Sequence, residues 1–318
     1  MLMYATRRLL GAIPLLIGVS FVVFLLLHIA PGDPAELLAG GRHLDPRTLA
    51  EINREFHLND PFFVQYGLWL SDAVRGDFGN SIPFHETVAQ VIAPRILPTL
   101  ELGSLALVLV VLAGLGLGTL AALRRNSFSG RASAGLVLTA STVSPYVAGI
   151  LLITVFGAIL GWFPILGLGG GGLDRLYHLT LPAIALAMGV MALVGRTCQT
   201  SLTQTLGEAF IEAARSRGFS ERRVVIRHGL RNALLPVVTM LGVSFGYLIT
   251  GAVLVEYVFG LAGLGSLLVE AVQYKDFATV QAVTMIFAGA FVVINLGVDL
   301  LYAVVDPRVR MTTGGDTP

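Results

Sequence analysis

The chain has 318 residues, of which 55% are hydrophobic and only 13% are charged, about half the charged share of a typical soluble domain. This composition excludes an ordinary soluble globular protein and predicts a polytopic membrane protein. The net charge of +1 does not indicate nucleic-acid binding, and we expect no nucleic-acid partner.

Apolar stretches long enough, or nearly so, to cross the hydrocarbon core recur along the chain. They lack the two-residue alternation of a membrane β-barrel, so helices are predicted. We therefore predict an all-α fold of about six transmembrane helices. The spans are Leu9–Ala30, Leu102–Leu123, Ala132–Gly157, Leu179–Gly195, Leu234–Val255 and Ala278–Val298.

The positions of the arginines predict the orientation of these spans. With the N-terminus in the cytoplasm, the inner segments hold fourteen arginines, seven of them between Arg196 and Arg231. The two short outer loops hold only Arg175 and Lys275. Positive residues accumulate on the cytoplasmic side. Both termini are therefore predicted to be cytoplasmic, in a multi-pass protein whose first helix is not cleaved.

Residues 31–98 differ from the rest and are predicted to form an external helical insert between the first helix (residues 1–30) and a transmembrane core (residues 99–318). Asp45-Pro46 and Asp60-Pro61 predict two helix starts, with aspartate as the N-cap and proline first in the helix. Gly76 predicts the end of the second helix. The insert either packs on the bundle or docks an external partner. The predicted apolar faces are Leu49, Ile52 and Phe56, then Phe63, Tyr66, Leu70 and Val74.

No catalytic or metal-binding motif is recognisable in the sequence. Its single lysine, Lys275, follows Tyr274, so no G-K-[ST] phosphate loop exists. We predict that the chain is not an enzyme and holds no cofactor. The acids Glu101, Glu256 and Asp299 lie near span ends, which argues against a proton-coupled transporter.

Neutral polar residues within the predicted spans allow two interpretations. Ser141, Ser144 and Tyr146 surround Pro145, where hydroxyls can satisfy backbone groups at a kink or line a pathway for a polar solute. Asn295 and Asp299 lie one turn apart and predict a structural polar pair.

The basic segment, about residues 196–235, is the candidate coupling loop. Leu206, Phe210 and Ala213/Ala214 have helical spacing, Gly218 predicts a turn, and Ser220 predicts the start of a second helix that ends before Pro236. The loop is either a topology signal alone or a handle for a partner. The candidate handle residues are Glu212, Ala213, Ala214, Arg215, Arg217 and Gly218.

Motifs in a fixed order resemble one family over almost the whole chain. They are Pro31-Gly32-Asp33-Pro34, Gln65-Tyr66, Gly76-Asp77-Phe78-Gly79, Leu97-Pro98-Thr99, Glu212-Ala213-Ala214, Arg231-Asn232-Ala233, Gly263-Leu264-Gly265 and Asp306-Pro307-Arg308. The chain resembles permease subunits of ABC importers of the dipeptide/oligopeptide/nickel family. The chain departs from the family pattern in three places. Ala262 stands where family members often have proline, and Glu212 is a residue that peptide permeases often lack. The Leu-Pro pair that ends the general ABC motif comes later in the chain than usual, at Leu235-Pro236.

This resemblance implies a type I importer fold in a bacterial or archaeal plasma (inner) membrane. It also implies three kinds of partner: a second homologous permease, two cytoplasmic subunits that use ATP and Mg, and an extracytoplasmic solute-binding protein. The handle residues would couple the permease to the ATPases. The solute stays open between a peptide, a nickel complex, glutathione and an oligosaccharide. A stand-alone secondary transporter is the rival interpretation.

Overall fold

Long helices dominate the computed structural model, which describes residues 2–29, 45–55, 58–124 and 127–305. Strands β1 (Asn80–Ser81) and β2 (Glu86–Thr87) pair antiparallel, with Ser81 opposite Glu86. The helices are α1 (Leu2–Ile29), α2 (Pro46–Glu55), α3 (Phe62–Val74), α4 (Val88–Leu123), α5 (Phe128–Thr142), α6 (Pro145–Leu152), α7 (Gly172–Leu206), α8 (Ala209–Ser216), α9 (Glu221–Arg223), α10 (Arg231–Val258), α11 (Leu264–Gln273) and α12 (Phe277–Val305). A π-helical turn at Ile153–Ile159 follows α6. A second π-helical turn, at Val224–Leu230, joins α9 to α10.

The predicted six spans correspond to α1, α4, the pair α5–α6, α7, the continuous helix α9–α10, and α12. Over the described residues, four helices are long and apolar enough to cross a membrane, and the bent pair makes a fifth. In α1 the described apolar stretch is shorter, Leu10–Leu26. The all-α, multi-span architecture predicted from the sequence is confirmed.

The third predicted span, Ala132–Gly157, is not one straight helix. The segments Phe128–Ala140 and Pro145–Ile159 meet at a bend of 110°. Proline lacks the N–H that would continue a helix, and it disfavours helical geometry in the residue before it. Ser144 accordingly adopts extended geometry, and its hydroxyl accepts a hydrogen bond from Val147 N–H. The chain therefore ends one helix and starts another at this point.

Two predicted boundaries fall inside longer helices. Helix α4 begins at Val88, so the predicted limit of the external insert at residue 98 falls inside a helix that contains Pro94 and Pro98. Helix α7 runs from Gly172 to Leu206, well beyond the predicted span Leu179–Gly195. Polar threonines do not end α7, because the hydroxyls of Thr197 and Thr205 donate to carbonyls four residues earlier within the helix.

The described chain forms two compact units, one containing Leu102–Phe259 and the chain from Val293. In this unit, glycines bring α4 and α7 into backbone contact. A Cβ on Gly118 would clash with the carbonyl oxygen of Gly195, and a Cβ on Gly114 would lie 3.0 Å from Val194 Cγ1. Small residues one turn apart allow such close helix packing in membranes.

The other unit contains Leu2–Glu101 and Gly260–Val292. A buried polar cluster ties its β-hairpin to the start of α12. The hydroxyls of Ser81 and Thr279 donate to Asp276 Oδ2, with oxygen–oxygen distances of 2.5 and 2.6 Å. An apolar core of α4, α11 and α12 side chains lies in the same unit. Its buried members are Val88, Val91, Ile92, Leu264, Leu267, Ala278, Ala282 and Val283.

Helix α3 of the external insert packs on α1 through a face that was predicted in part, since Tyr66 is at the contact and Phe63 and Val74 are not. Tyr66 bonds Ser20 (2.8 Å between oxygens), and Gln65 Oε1 lies 3.0 Å from His28 Nε2. Phe63 and Val74, predicted on the packed face, are 77% and 80% exposed. Aromatic contacts explain the shift, because Phe62, Tyr66 and Trp69 meet the rings of α1.

The ends of the insert helices were predicted in part. Gly76 follows α3 with φ +82°, as its predicted end requires. The start is displaced by one residue, because Pro61 rather than Asp60 is the N-cap and no side chain caps it. Helix α2 begins at Pro46 as predicted, whereas the side chains of its predicted apolar face, Leu49, Ile52 and Phe56, lie outside the described residues.

Candidate coupling site

A short helix, α8, lies between two of the long apolar helices. The chain leaves α7 at Leu206, turns at Gly207 and enters α8 after Glu208, whose φ of −77° and ψ of 148° are those of an extended residue. The predicted loop over residues 196–235 is therefore mostly helical, and its non-helical part is two short turns around α8. Anything that moves α8 acts directly on α7 and α9.

One face of α8 is buried by the chain itself. Ile211 and Ala214 pack against Val224, with Leu206 and Phe219 around them. Ala214 is only 7% exposed, whereas Ala213 is exposed. This corrects the expectation that both alanines face a partner. Of the two, Ala213 alone lies on the open face.

The turn after α8 is a Schellman motif centred on Gly218. The Gly218 N–H donates to the Arg215 carbonyl (2.9 Å), and the Phe219 N–H donates to the Ala214 carbonyl (3.4 Å). Gly218 has a φ of +80°, as predicted. This region suits glycine because a Cβ strains the backbone there. No heavy atom lies within 4 Å of the position of a Gly218 Cβ, so only the backbone constrains the residue.

Charged groups of the candidate site lie in solvent. Arg215 Nε donates to Glu221 Oε1 at 2.7 Å, which links α8 to α9. The hydrogen bond and the charge of Glu221 raise the pKa of Arg215 above its ordinary value, with a smaller contribution from Glu212. Glu212 and Arg217 are exposed. Arg215 therefore forms a bond within the chain, whereas Phe210, Ala213 and Arg217 lie on the exposed face of α8.

The second helix of the predicted handle does not end before Pro236. Ser220 precedes α9 as predicted, but its hydroxyl makes no capping hydrogen bond. From Glu221 the helix continues through the π-helical turn to Val258, over 38 residues. Pro236 removes one donor from this helix without ending it.

The predicted pathway residues lie around the bend between α5 and α6. Ser141 belongs to the last turn of α5, but its side chain lies outside the described residues. Ser144 caps α6, and Tyr146 is 44% exposed. These contacts account for Ser144 structurally, and a role in the pathway stays a prediction.

The predicted polar pair Asn295 and Asp299 is only partly described. Asn295 is half-buried in α12 and has an interaction partner. The side chain of Asp299 lies outside the described residues, so the pair itself stays a prediction.

A polar face of α7 was not recognised from the sequence. Arg196, Thr200, Ser201 and Gln204 line a groove beside Pro236. From the sequence, Arg196 was predicted only as part of the positive charge that sets the orientation. The four-residue spacing of Arg196, Thr200 and Gln204 could have revealed a shared helix face.

Comparison with known proteins gives matches over nearly the whole chain. A model of the binding-protein-dependent transport system inner membrane component matches residues 114–311, and a model of the N-terminal part of such membrane components matches residues 1–102. The chain is 41% identical over 310 residues to the glutathione transport system permease protein GsiC of Escherichia coli strain K12, covering 98% of this chain and 99% of that protein. For the protein of the same name from Salmonella choleraesuis the identity is 39%, with the same coverage.

A solved structure shares the fold. It is the crystal structure of an amino acid ABC transporter with histidines, matched with a TM-score of 0.51 and 21% identity, over 69% of this chain and 94% of that chain. At this identity the likeness supports the fold alone.

Proposed function

Because this chain belongs to the family of binding-protein-dependent transport system inner membrane components, and is therefore a multi-pass permease subunit of an ABC importer, we propose that it forms half of a translocation pathway with a second homologous permease. Importers of this kind work with ATPase and binding-protein partners. We propose two ATPase subunits, which hold the ATP and Mg, and one extracytoplasmic binding protein. The family assignment decides against a stand-alone secondary transporter.

Helix α8 is the proposed handle for an ATPase subunit, and its two-sided character carries this proposal. One face is fixed by Ile211 and Ala214, while Phe210, Ala213 and Arg217 remain open. A small alanine between an aromatic residue and an arginine allows close approach of a partner surface. ATP binding would move α8, and α7 and α10 with it, provided that ATP favours one state of the complex over the other.

The proposed solute is a short peptide of the glutathione type. Identity of 41% over nearly the full length of permeases named for glutathione transport supports this choice. Peptides carry free carboxylate groups and backbone amides, which a polar lining can bind.

The proposed orientation has both termini and α8 in the cytoplasm, and the insert outside. The arginine distribution supports it. Single cysteines at Ser71 and Ser220, in a Cys198→Ser background, test it with an impermeant thiol reagent in intact cells. Labelling of the cysteine at Ser220 but not of the cysteine at Ser71 would contradict the proposed orientation and indicate the opposite one.

We also propose that the insert seats the binding protein, as the exposed arginines Arg54 and Arg75 on α2 and at the end of α3 allow. Charge reversal at Arg54 should weaken the ATPase stimulation caused by the binding protein and leave basal ATPase activity unchanged. Equal loss of both activities would point to a folding role instead.

Reconstitution of the complete importer in proteoliposomes tests the proposed function. We expect ATP-dependent uptake of radiolabelled glutathione that requires the binding protein. Ala213→Trp should insert normally yet lose most of the stimulated ATP turnover, because the indole blocks close approach to α8. Arg131→Trp, an equally bulky change at an exposed residue of α5, is the matched control and should transport normally.

Two outcomes contradict this proposal. Normal coupling in Ala213→Trp would mean that α8 is only a topology signal. Uptake of other solutes but not of glutathione or short peptides would reject the proposed solute class and leave the coupling role intact.

A further inference from the structure

The C-terminal part of α7, from Arg196 to Thr205, is rich in polar side chains, and Arg196, Thr200 and Gln204 are exposed on it. A groove of about 420 Å³ is lined there by Arg196, Thr200, Ser201 and Gln204, with Leu193 and Pro236 at its apolar edges. Arg196, Thr200 and Gln204 follow one another at four-residue intervals, so they lie on one side of the helix. The row extends over roughly 12 Å, at 1.5 Å per residue.

These polar groups are available to a ligand. Within the described part of the chain, no hydrogen bond or ion pair engages the side chains of Arg196, Thr200, Ser201 or Gln204. Thr197, which also lines the groove, and neighbouring Thr203 behave differently, since their hydroxyls donate to carbonyls of their own helix. Because Arg196, Thr200 and Gln204 are exposed and Ser201 is half-buried, their donors and acceptors are accessible to water or to a polar solute.

The charge of the groove favours an anion. Between residues 179 and 207 of the sequence, Arg196 is the only residue among Asp, Glu, Lys and Arg. No acid on this stretch of α7 therefore offsets its positive charge. A guanidinium group binds a carboxylate through two parallel N–H···O bonds, a planar geometry that suits carboxylates and phosphates.

The dimensions favour an elongated solute. A volume of about 420 Å³ falls within the range of small-molecule sites, roughly 300–1,000 Å³. A lipid headgroup would need only the arginine and one or two hydroxyls. An extended peptide would also use the hydroxyls and the Gln204 amide, which can pair with its backbone amide groups.

We propose that this groove is a solute-binding site, in which Arg196 holds a carboxylate of the transported peptide and Thr200, Ser201 and Gln204 bind its amide groups. The inference rests on the proposed function, because it requires a solute of the peptide type. Arg196 lies about 15 Å along α7 from the end that leads into α8, and Gln204, at the other end of the row, lies about 3 Å from it. Occupancy of the site and movement of α8 would therefore act on the same helix.

The test measures binding of radiolabelled glutathione to the complete permease–ATPase complex in nanodiscs of phosphatidylcholine. Arg196→Gln should weaken binding about tenfold or more, the loss of a charge-assisted pair. Arg196→Lys should lose less, because it keeps the charge without the forked geometry. Thr200→Val combined with Gln204→Leu should weaken binding with Arg196 in place. Arg131→Gln, an exposed arginine on α5, is the matched control and should bind as the unchanged complex does.

Two results would overturn the inference. One is equal glutathione binding by Arg196→Gln and the unchanged complex. The other is an effect of Arg196→Gln that appears only when phosphatidylglycerol is added to the nanodiscs, which would assign the groove to an anionic headgroup. Uptake of peptide by the unchanged importer distinguishes a failure of the groove proposal from a failure of the proposed function. Absence of ATP-driven peptide uptake rejects the proposed solute, whereas normal uptake with normal Arg196→Gln binding rejects the groove alone.

Discussion

Two regions of the molecule attach a short element to long helices in different ways. Helix α8 is held by a small apolar cluster, a backbone turn at Gly218 and an exposed ion pair. The β-hairpin Asn80–Thr87 is held by a buried carboxyl group, since Asp276 is 1% exposed and accepts hydrogen bonds from Ser81 and Thr279. Removal of a buried hydrogen-bond partner leaves other buried polar groups without a partner, whereas water can replace a partner that is exposed. We therefore expect the hairpin attachment to depend on single side chains much more than the α8 attachment does.

The largest expected effect is at the hairpin. Asp276→Ala should lower the free energy of unfolding by about 2–4 kcal/mol, because it leaves buried hydroxyls without acceptors and removes a cap from the first turn of α12. Urea unfolding of the detergent-solubilised protein measures this. Asp72→Ala is the matched control, since Asp72 is exposed and lies 3.9 Å from Arg75. If the two variants were equally stable, burial would not decide the strength of these attachments.

An intermediate effect is expected at the turn after α8. Gly218→Val should cost about 1–2 kcal/mol, because a β-branched residue resists the observed φ of +80°. Gly218→Asn should cost less, since asparagine tolerates this geometry. No neighbouring atom hinders either side chain, so the difference between the variants reports backbone strain alone. Retention of the ATPase subunits during purification, with stimulated ATP turnover, measures the result. Equal behaviour of Gly218→Val and the unchanged protein would contradict a strained turn.

The smallest effect is expected for the ion pair between α8 and α9. Arg215→Gln should change stability by about 0–1 kcal/mol, and less at high salt, because the pair with Glu221 is exposed. A double-mutant cycle with Glu221→Gln isolates the pair. Arg217→Gln serves as the control on the same helix. A loss comparable to that of Asp276→Ala would show that exposure does not weaken this pair.

The sequence alone predicted the features that follow from local rules. Apolar length predicted the helices, because backbone polar groups must be satisfied within each span. Glycine predicted the ends of α3 and α8, since Gly76 and Gly218 both adopt positive φ. Ordered motifs predicted the permease family, which the matches to known proteins confirmed.

Only the tertiary structure decided which face of each helix is used. Helix α1 contacts Phe62 and Gln65 of α3 rather than the predicted Phe63, and Val224 packs against Ala214 rather than Ala213. In a membrane protein, side chains that face lipid and side chains that face other helices are both apolar, so periodicity alone cannot distinguish the two environments. The polar side of α7 at Arg196 could be recognised from its four-residue spacing, but not which of its side chains bond within the chain. A row of polar residues shows its purpose only when the packing around it shows which groups remain without partners.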